Sequence, residues 1–342
     1  MMIDSNPITK DIFGRPLRDL RVSVTDRCNF RCPYCMPAEI YGERYKFLPR
    51  EEILSFEEIA RLTNVFVGLG TKKIRLTGGE PLVRTGVDEL ISLLTRIEGV
   101  EDLTLTTNGY LLEDQAMSLK QAGLQRITVS LDSLNDQVFG AMNGRGFKVD
   151  RVIKGIERSI EVGLTPIKVN AVVQKGINDH TVIDMLKHFS GTGVIVRFIE
   201  YMDVGNLNGW KMEEVVPSKE LVEIINAELP IEPVDKNYLG EVADRYRYID
   251  GSGEIGFISS VTETFCQNCT RARISTDGKL FTCLFGESGF DLRGPIRDGY
   301  SDEQIRELIT SVWNKRDDRY SEIRASITDQ ARRKVEMYQI GG

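Results

Sequence analysis

The sequence predicts an α/β fold, an incomplete (β/α)6 TIM-like barrel, on three observations. A glycine-led strand pattern recurs through the first two-thirds of the chain, amphipathic helical segments fill the intervals, and past residue 231 the texture changes to hairpins and then helices. Strands alternating with helices call for parallel βαβ units with right-handed crossovers. Order in space is not written in the sequence, so a doubly wound open sheet is the alternative.

A first strand falls at Leu20–Thr25. Gly70 then precedes Ile74 and Leu76, Gly99 precedes Leu103 and Leu105, Gly123 precedes Ile127 and Val129, and Gly163 precedes Ile167 and Val169. Apolar residues at period two make a strand with one apolar face, and the glycine suits a helix C-terminus that needs a left-handed residue. A sixth strand around 194–201 is less regular. Ser55-Phe-Glu-Glu58 spells a capping box before Ile59, Leu62 and Val65. Helical spacing recurs at Val87, Leu90, Ile91, Leu94 and Ile97, at Val152, Ile153, Ile156 and Ile160, and at Val182, Ile183, Leu186 and Phe189. Later, Tyr246–Ile249 and Glu254–Ser259 flank a Gly-rich turn, and Ala272–Thr276 and Lys279–Leu284 flank Asp277-Gly278, so both pairs read as hairpins. Helices are expected near Asp302–Asn314 and Ser321–Arg333. Residues 1–230 would form the barrel and residues 231–342 a C-terminal α+β segment covering its open side.

A chain of 342 residues has room for about two domains, or for one barrel with an appendage. Its 41% hydrophobic and 28% charged residues are those of a globular protein rather than a disordered one. A net charge of −7 argues against coating nucleic acid. No apolar run reaches the ~20 residues of a membrane span, and no signal-peptide pattern opens the chain. A cytoplasmic location is expected, where cysteines are more often ligands or catalysts than disulfides.

The other strand face carries Arg21, Ser23 and Thr25, then Arg75 and Thr77, Thr104 and Thr106, Thr128 and Ser130, and Lys168 and Asn170. Barrel interiors are normally filled by Val, Ile and Leu. A polar, partly cationic lumen therefore implies an occupied cavity. An antiparallel sheet with one wet face is the alternative, which the intervening helices disfavour. The turns Thr77-Gly-Gly-Glu-Pro81, Thr107-Asn-Gly109 and Ser130-Leu-Asp-Ser133 follow the strands at their C-terminal ends, where parallel α/β folds place their sites.

Six cysteines stand against two histidines, in two triplets. Cys28-Asn-Phe-Arg-Cys32-Pro-Tyr-Cys35 lets three thiolates converge in one loop. Three thiolates on a four-iron cluster leave one iron open. Structural zinc is the alternative and needs a fourth ligand; His180 and His188 lie together on a predicted helix far along the chain. Cys266-Gln-Asn-Cys269 with Cys283 beyond a hairpin has the shape of a metal knuckle, again with three ligands, and zinc or a second cluster both suit it. Arg271-Ala-Arg273 follows at once. Alternate strand residues share a face, so these guanidiniums would bind phosphate or carboxylate together beside Arg21, Arg75 and Lys168.

The first triplet after strand one, with Gly78-Gly79-Glu80-Pro81 after the next strand, closely resembles the radical S-adenosylmethionine (SAM) enzymes. That resemblance implies a [4Fe-4S] cluster on Cys28, Cys32 and Cys35, SAM on its free iron, and SAM contacts at Tyr34 and Gly79. Beyond the first ten residues, the chain closely resembles the GTP 3′,8-cyclase family of molybdenum cofactor biosynthesis. The resemblance rests on Asp11-Ile-Phe-Gly-Arg-Pro16, Leu20-Arg-Val-Ser-Val-Thr-Asp-Arg-Cys28, Ile74-Arg-Leu-Thr-Gly-Gly-Glu-Pro81, Phe265-Cys-Gln-Asn-Cys-Thr-Arg-Ala-Arg-Ile274 and the terminal Gly341-Gly342.

The family implies a second [4Fe-4S] cluster on Cys266, Cys269 and Cys283, whose open iron binds the purine. It implies GTP contacts at Arg21, Arg75, Thr106, Lys168, Arg271, Ala272 and Arg273, further SAM contacts at Ser130 and Met202, and a Gly341-Gly342 tail inserted toward the site. Arg21, Arg271, Arg273, Gly341 and Gly342 are then the catalytic candidates. The implied reaction takes hydrogen from the ribose C3′ with a 5′-deoxyadenosyl radical and joins C3′ to C8 of guanine. The implied partners are an electron donor and, downstream, cyclic pyranopterin monophosphate synthase, with the chain a monomer or homodimer. The rivals are another two-cluster radical SAM enzyme, such as a peptide-modifying maturase, and a zinc-stabilised nucleotide-binding module.

Overall fold

In the computed structural model, which describes residues 8–238, 240–324 and 333–342, all six expected strands form. They are β1 (Asp19–Ser23), β2 (Lys73–Thr77), β3 (Asp102–Thr107), β4 (Arg126–Ser130), β5 (Lys168–Val173) and β6 (Ile195–Glu200). Between them lie α1 (Phe56–Gly68), α2 (Val87–Leu94), α3 (Leu112–Gln121), α4 (Asp136–Asn143), α5 (Asp150–Glu161) and α6 (Val182–Phe189). The remaining described elements are α7 (Ser218–Glu228), β7 (Ile231–Val234), β8 (Asp244–Tyr248), β9 (Glu254–Ile258), β10 (Arg271–Ile274), β11 (Lys279–Phe281), β12 (Phe290–Asp291), α8 (Arg293–Arg297), α9 (Asp302–Asn314), α10 (Tyr320–Ile323) and α11 (Met337–Ile340).

The expected helix over 321–333 lies mostly outside the described residues. The periodicity that runs to Ile97 overshoots α2. The chain tightens there into i→i+3 bonds, Arg96 N–H to the Leu93 carbonyl and Ile97 N–H to that of Leu94, so Gly99 sits in a turn past the helix. Gly70, Gly123 and Gly163 do follow helix ends, all with positive φ.

The sheet runs in the order β12-β11-β10-β1-β2-β3-β4-β5-β6-β9-β8-β7. Its centre is parallel and sequential, which excludes the doubly wound alternative, where strand order reverses part-way. Both edges are extended by late strands: β10 pairs parallel with β1, and β9 parallel with β6. The two expected hairpins, β8–β9 and β10–β11, are those that carry these additions.

One strand face is sealed. Ile74, Leu76, Leu103, Leu105, Ile127, Val129 and Val169 have essentially no exposure, and they share one core with Ile59, Leu62 and Phe66 of α1 and Val152 and Ile156 of α5. Each such side chain contributes about 1.5–3 kcal/mol of burial. Glu200 at the end of β6 fastens the far side: its carboxylate accepts from the backbone N–H of Ser218, Val261 and Thr262 at 2.8–2.9 Å. The packing leaves the opposite strand face free to build a site.

The capping box at α1 is present in full. Ser55 Oγ accepts from the Glu58 N–H at 3.1 Å, and the Glu58 carboxylate accepts from the Ser55 N–H at 2.7 Å. Ser55→Ala should lower stability by about 1 kcal/mol, read as an earlier urea midpoint, with metal content per folded chain unchanged.

Candidate active site

The uncovered face of the strands lines a cavity of about 310 Å³. Register places its charges. Arg273 of β10 sits opposite Arg21 of β1, and Arg21 opposite Arg75 of β2, so three guanidiniums stand on adjacent strands at one level. Neighbouring strands are about 4.8 Å apart, and like charges side by side repel. Lys168 of β5 and Arg197 of β6 line the same cavity from beyond β4.

Burial and this crowding shift them all downward. Arg21 is held well below the usual guanidinium range by burial, with Arg273, Arg271 and Arg75 alongside. Burial and Arg271 bring Arg273 to about 9, burial and Arg75 bring Arg197 to about 9, and burial and Arg197 bring Lys168 to about 7. A buried group of cations with depressed proton affinity favours negative charge beside it.

Beneath them Arg75 donates to Thr106 Oγ1 at 2.7 Å and Thr128 Oγ1 at 3.1 Å. Thr104 and Thr128, both fully buried, do not line the cavity. Arg197 and Lys73, which also lines the cavity, escape the sequence reading. Lys73 stood two residues before Arg75 in the same alternation. Arg197 sits on a strand with aliphatic residues on both faces, which hid its phase.

The first triplet opens at one end. Cys28, Cys32 and Cys35 all line the cavity. Their loop is stitched by Arg31, which donates to the carbonyls of Cys28 at 2.7 Å, Phe30 at 2.6 Å and Tyr41 at 2.6 Å. The Gly-Gly-Glu-Pro turn packs directly on it. Gly79 N–H bonds the Thr25 carbonyl at 2.8 Å, and a Cβ on Gly79 would lie 2.3 Å from the Arg27 carbonyl oxygen. Only glycine fits there.

Glu80, pushed up to about 7 by burial, accepts from Thr107 Oγ1, the Asn108 N–H and the Leu82 N–H. It ties the turns after β2 and β3 together. Tyr34 Oη donates to Asp132 at 2.6 Å, and burial lifts Asp132 to about 6. Ser130 and Met202 line the same end.

The second triplet, Cys266, Cys269 and Cys283, lines the cavity beside Arg271. Arg271 Nε donates to Cys269 Sγ at 3.3 Å. Burial alone would raise the Cys269 thiol, but Arg271 and Arg316 outweigh it and bring it to about 6. At the first triplet burial, with Glu80 adding to it, outweighs Arg31 and pushes Cys28 up to about 12. Ala272 lies on the opposite strand face, wholly buried in the core, so only the two arginines of that segment reach the cavity.

The C-terminal tail enters between the triplets. Tyr338 packs with Met36 and Tyr41, Arg273 donates to the Gly341 carbonyl, and Gly342 lines the cavity. Gly341 has φ 71°, and a Cβ there would fall 2.1 Å from Thr77. Gly341 itself is buried at the rim and does not line the cavity.

Among the described residues no three Cys, His, Asp or Glu side chains gather as ligands of a single ion. A polynuclear cluster takes one thiolate per iron, so its ligands stand apart. Each triplet, all thiol and facing the cavity, fits that demand.

The sequence comparisons agree with this layout. Residues 22–189 match the radical SAM superfamily, and residues 194–322 match the molybdenum cofactor synthesis C-terminal family. GTP 3′,8-cyclase of Staphylococcus haemolyticus is 48% identical over 97% of this chain and 98% of its own, and that of Staphylococcus aureus strain MRSA252 has the same figures. The chain belongs to the GTP 3′,8-cyclase family. Of solved structures, methylornithine synthase superposes with a TM-score of 0.48 at 15% identity, over 62% of each chain. No helix among the described residues is long and apolar enough to cross a membrane.

Lys168 lines the cavity, and its ammonium is favoured only below about 7. Affinity for inorganic triphosphate should fall about tenfold from about pH 6 to about pH 8 in the wild type, relative to Lys168→Met. Calorimetry on both proteins cancels the ligand's own titration.

Proposed function

We infer that this chain converts GTP to (8S)-3′,8-cyclo-7,8-dihydroguanosine 5′-triphosphate, the first step of molybdenum cofactor biosynthesis. The observation that carries this reading is the aligned guanidinium row facing a cavity with a thiol triplet at each end. It offers a polyanion site held between two cluster sites. When bound, the two [4Fe-4S] clusters and SAM supply the radical chemistry at the ribose C3′. The protein contributes geometry, anion binding and exclusion of water.

Under this reading Cys28, Cys32 and Cys35 hold the SAM-binding cluster, and Tyr34, Gly79, Ser130 and Met202 surround SAM. Cys266, Cys269 and Cys283 hold the second cluster, at the purine. Arg21, Arg75, Thr106, Lys168, Arg271 and Arg273 receive GTP, and Lys73 and Arg197 join them around the phosphates. Arg273 also holds the tail, so Gly341 and Gly342 bound the site near the reacting sugar. Residues up to 230 act as the partial barrel, and residues 231–342 close it and bring the second cluster. An electron donor and a downstream cyclic pyranopterin monophosphate synthase are the partners. The rival of a zinc module lacks a reason for the Gly79 contact and the Tyr34–Asp132 pair at the first triplet. A peptide substrate would not call for the density of buried cations.

Anaerobic incubation with SAM, reductant and GTP should yield 5′-deoxyadenosine and a pterin-forming product. Arg271→Ala and Arg273→Ala should each weaken GTP binding roughly tenfold to a hundredfold while uncoupled SAM cleavage persists. Unchanged GTP turnover in both would refute their role. Gly341→Ala should abolish cyclisation with GTP affinity less affected, because its methyl cannot pass Thr77.

A further inference from the structure

The Asp11-Ile-Phe-Gly-Arg-Pro16 segment lies outside the barrel strands, and none of the chemistry above uses it. Its two charged side chains are nevertheless buried: Asp11 is 7% exposed and Arg15 is 3% exposed. Asp11 organises its own turn, with Oδ1 accepting from the Phe13 and Arg15 N–H at 3.0 and 2.9 Å. Its other oxygen receives two guanidiniums, Arg15 Nε at 2.5 Å and Arg316 Nη1 at 3.3 Å. Arg316 comes from just past α9 and is 4% exposed, so one buried carboxylate bridges two buried cations from opposite ends of the chain.

Both guanidiniums reach on to the second triplet. Arg15 Nη1 donates to the Cys266 carbonyl at 2.7 Å. Arg316 Nη1 donates to the Cys269 carbonyl at 2.7 Å. These are the two ends of the single 3-10 turn that carries both cysteines. The network is braced from behind. Trp313, fully buried, donates from its indole N–H to the Arg15 carbonyl at 3.1 Å, and the Arg316 guanidinium lies over its ring at 4.5 Å. Asp318 completes it, with its carboxylate 3.2 Å from Arg316 Nε and its carbonyl accepting from Arg15 at 2.9 Å.

We propose that Asp11, Arg15 and Arg316 are positioning residues for the second iron–sulfur cluster, clamping the Cys266 and Cys269 backbone so that their thiolates are preset for it. The proposal rests on the two-cluster reading above. A cysteine pair on a one-turn loop has no regular sheet or helix to hold it. Charge-assisted donation to the cysteine carbonyls supplies the missing rigidity, as outer-shell partners do for metal ligands generally. The carboxylate is the keystone, because without it two buried guanidiniums repel each other across the space it leaves.

The test uses the full chain, reconstituted anaerobically with iron and sulfide, with iron per chain and the EPR spectrum of each cluster as readouts. The wild type holds about eight irons if there are two four-iron clusters; about four irons, or zinc, in the wild type would overturn the two-cluster reading and the clamp with it. Asp11→Asn and Arg316→Gln should each lower iron about twofold, or shift the second cluster's signal and its reduction potential and remove its response to GTP. The first cluster's signal and SAM cleavage should stay as they are, and Asp11→Glu should recover part of the loss. If both neutral variants keep the wild-type iron content, second-cluster spectrum and potential, the proposal fails. It fails equally if both clusters and SAM cleavage are lost in step, since that outcome marks a general folding role.

Discussion

Three guanidiniums at one level on β10, β1 and β2, two of them placed by residues 252 positions apart in register, set the terms for the rest of this molecule. Left to themselves they repel, and the Asp19 carboxylate at the cavity only partly offsets this at Arg21. The sheet can carry this load because its other face is sealed against helices, where burial is dense and continuous. A multiply charged anion would relieve several of these cations at once. The tail carbonyl of Gly341 takes up one donor of Arg273, which leaves the terminus seated against the same row of charge.

The two cysteine loops share a construction rule and differ in their surroundings. Each is short and irregular, and each is held by arginine donation to cysteine carbonyls: Arg31 to Cys28 in the first, Arg15 and Arg316 to Cys266 and Cys269 in the second. Arg31 comes from within its own loop, whereas the second loop borrows both donors from distant segments. At the first loop Glu80 stands near Cys28 and Arg31 only partly offsets burial, whereas at the second Arg271 and Arg316 together outweigh it at Cys269. A cluster's potential responds to local charge and to hydrogen bonds at its ligands. The protein therefore offers two unlike electrostatic settings for clusters of one ligand type.

Much of this was legible in the residues. Period-two alternation located the first five strands because each has one face in the core and one toward the cavity, and that same alternation delivered Arg21, Arg75 and Lys168 before any fold was known; β6, with aliphatic residues on both faces, was less regular. The cysteine spacing and the Gly-Gly-Glu-Pro turn were local and therefore readable. What escaped was non-local. The pairing of β10 with β1 depends on contacts no sequence window contains, so the alignment of Arg273 with Arg21 could not be anticipated. Asp11 and Arg316 look like surface charges until the chain brings them together. The helix α3 was missed although Leu112, Ala116 and Leu119 keep helical spacing, because polar residues dominate its composition.

The long return of the chain has a cost in assembly. Thr270 hydroxyl bonds the Asp19 carboxylate at 2.7 Å across 251 residues of sequence. The strands that cap both edges of the parallel sheet are among the last to leave the ribosome. Until they arrive, β1 and β6 present open backbone edges, the kind of surface on which nascent chains aggregate. Non-local pairing of this span is also slow to form. The thiols of the first loop thus leave the ribosome well before β9 and β10, the strands that extend both edges of the parallel sheet.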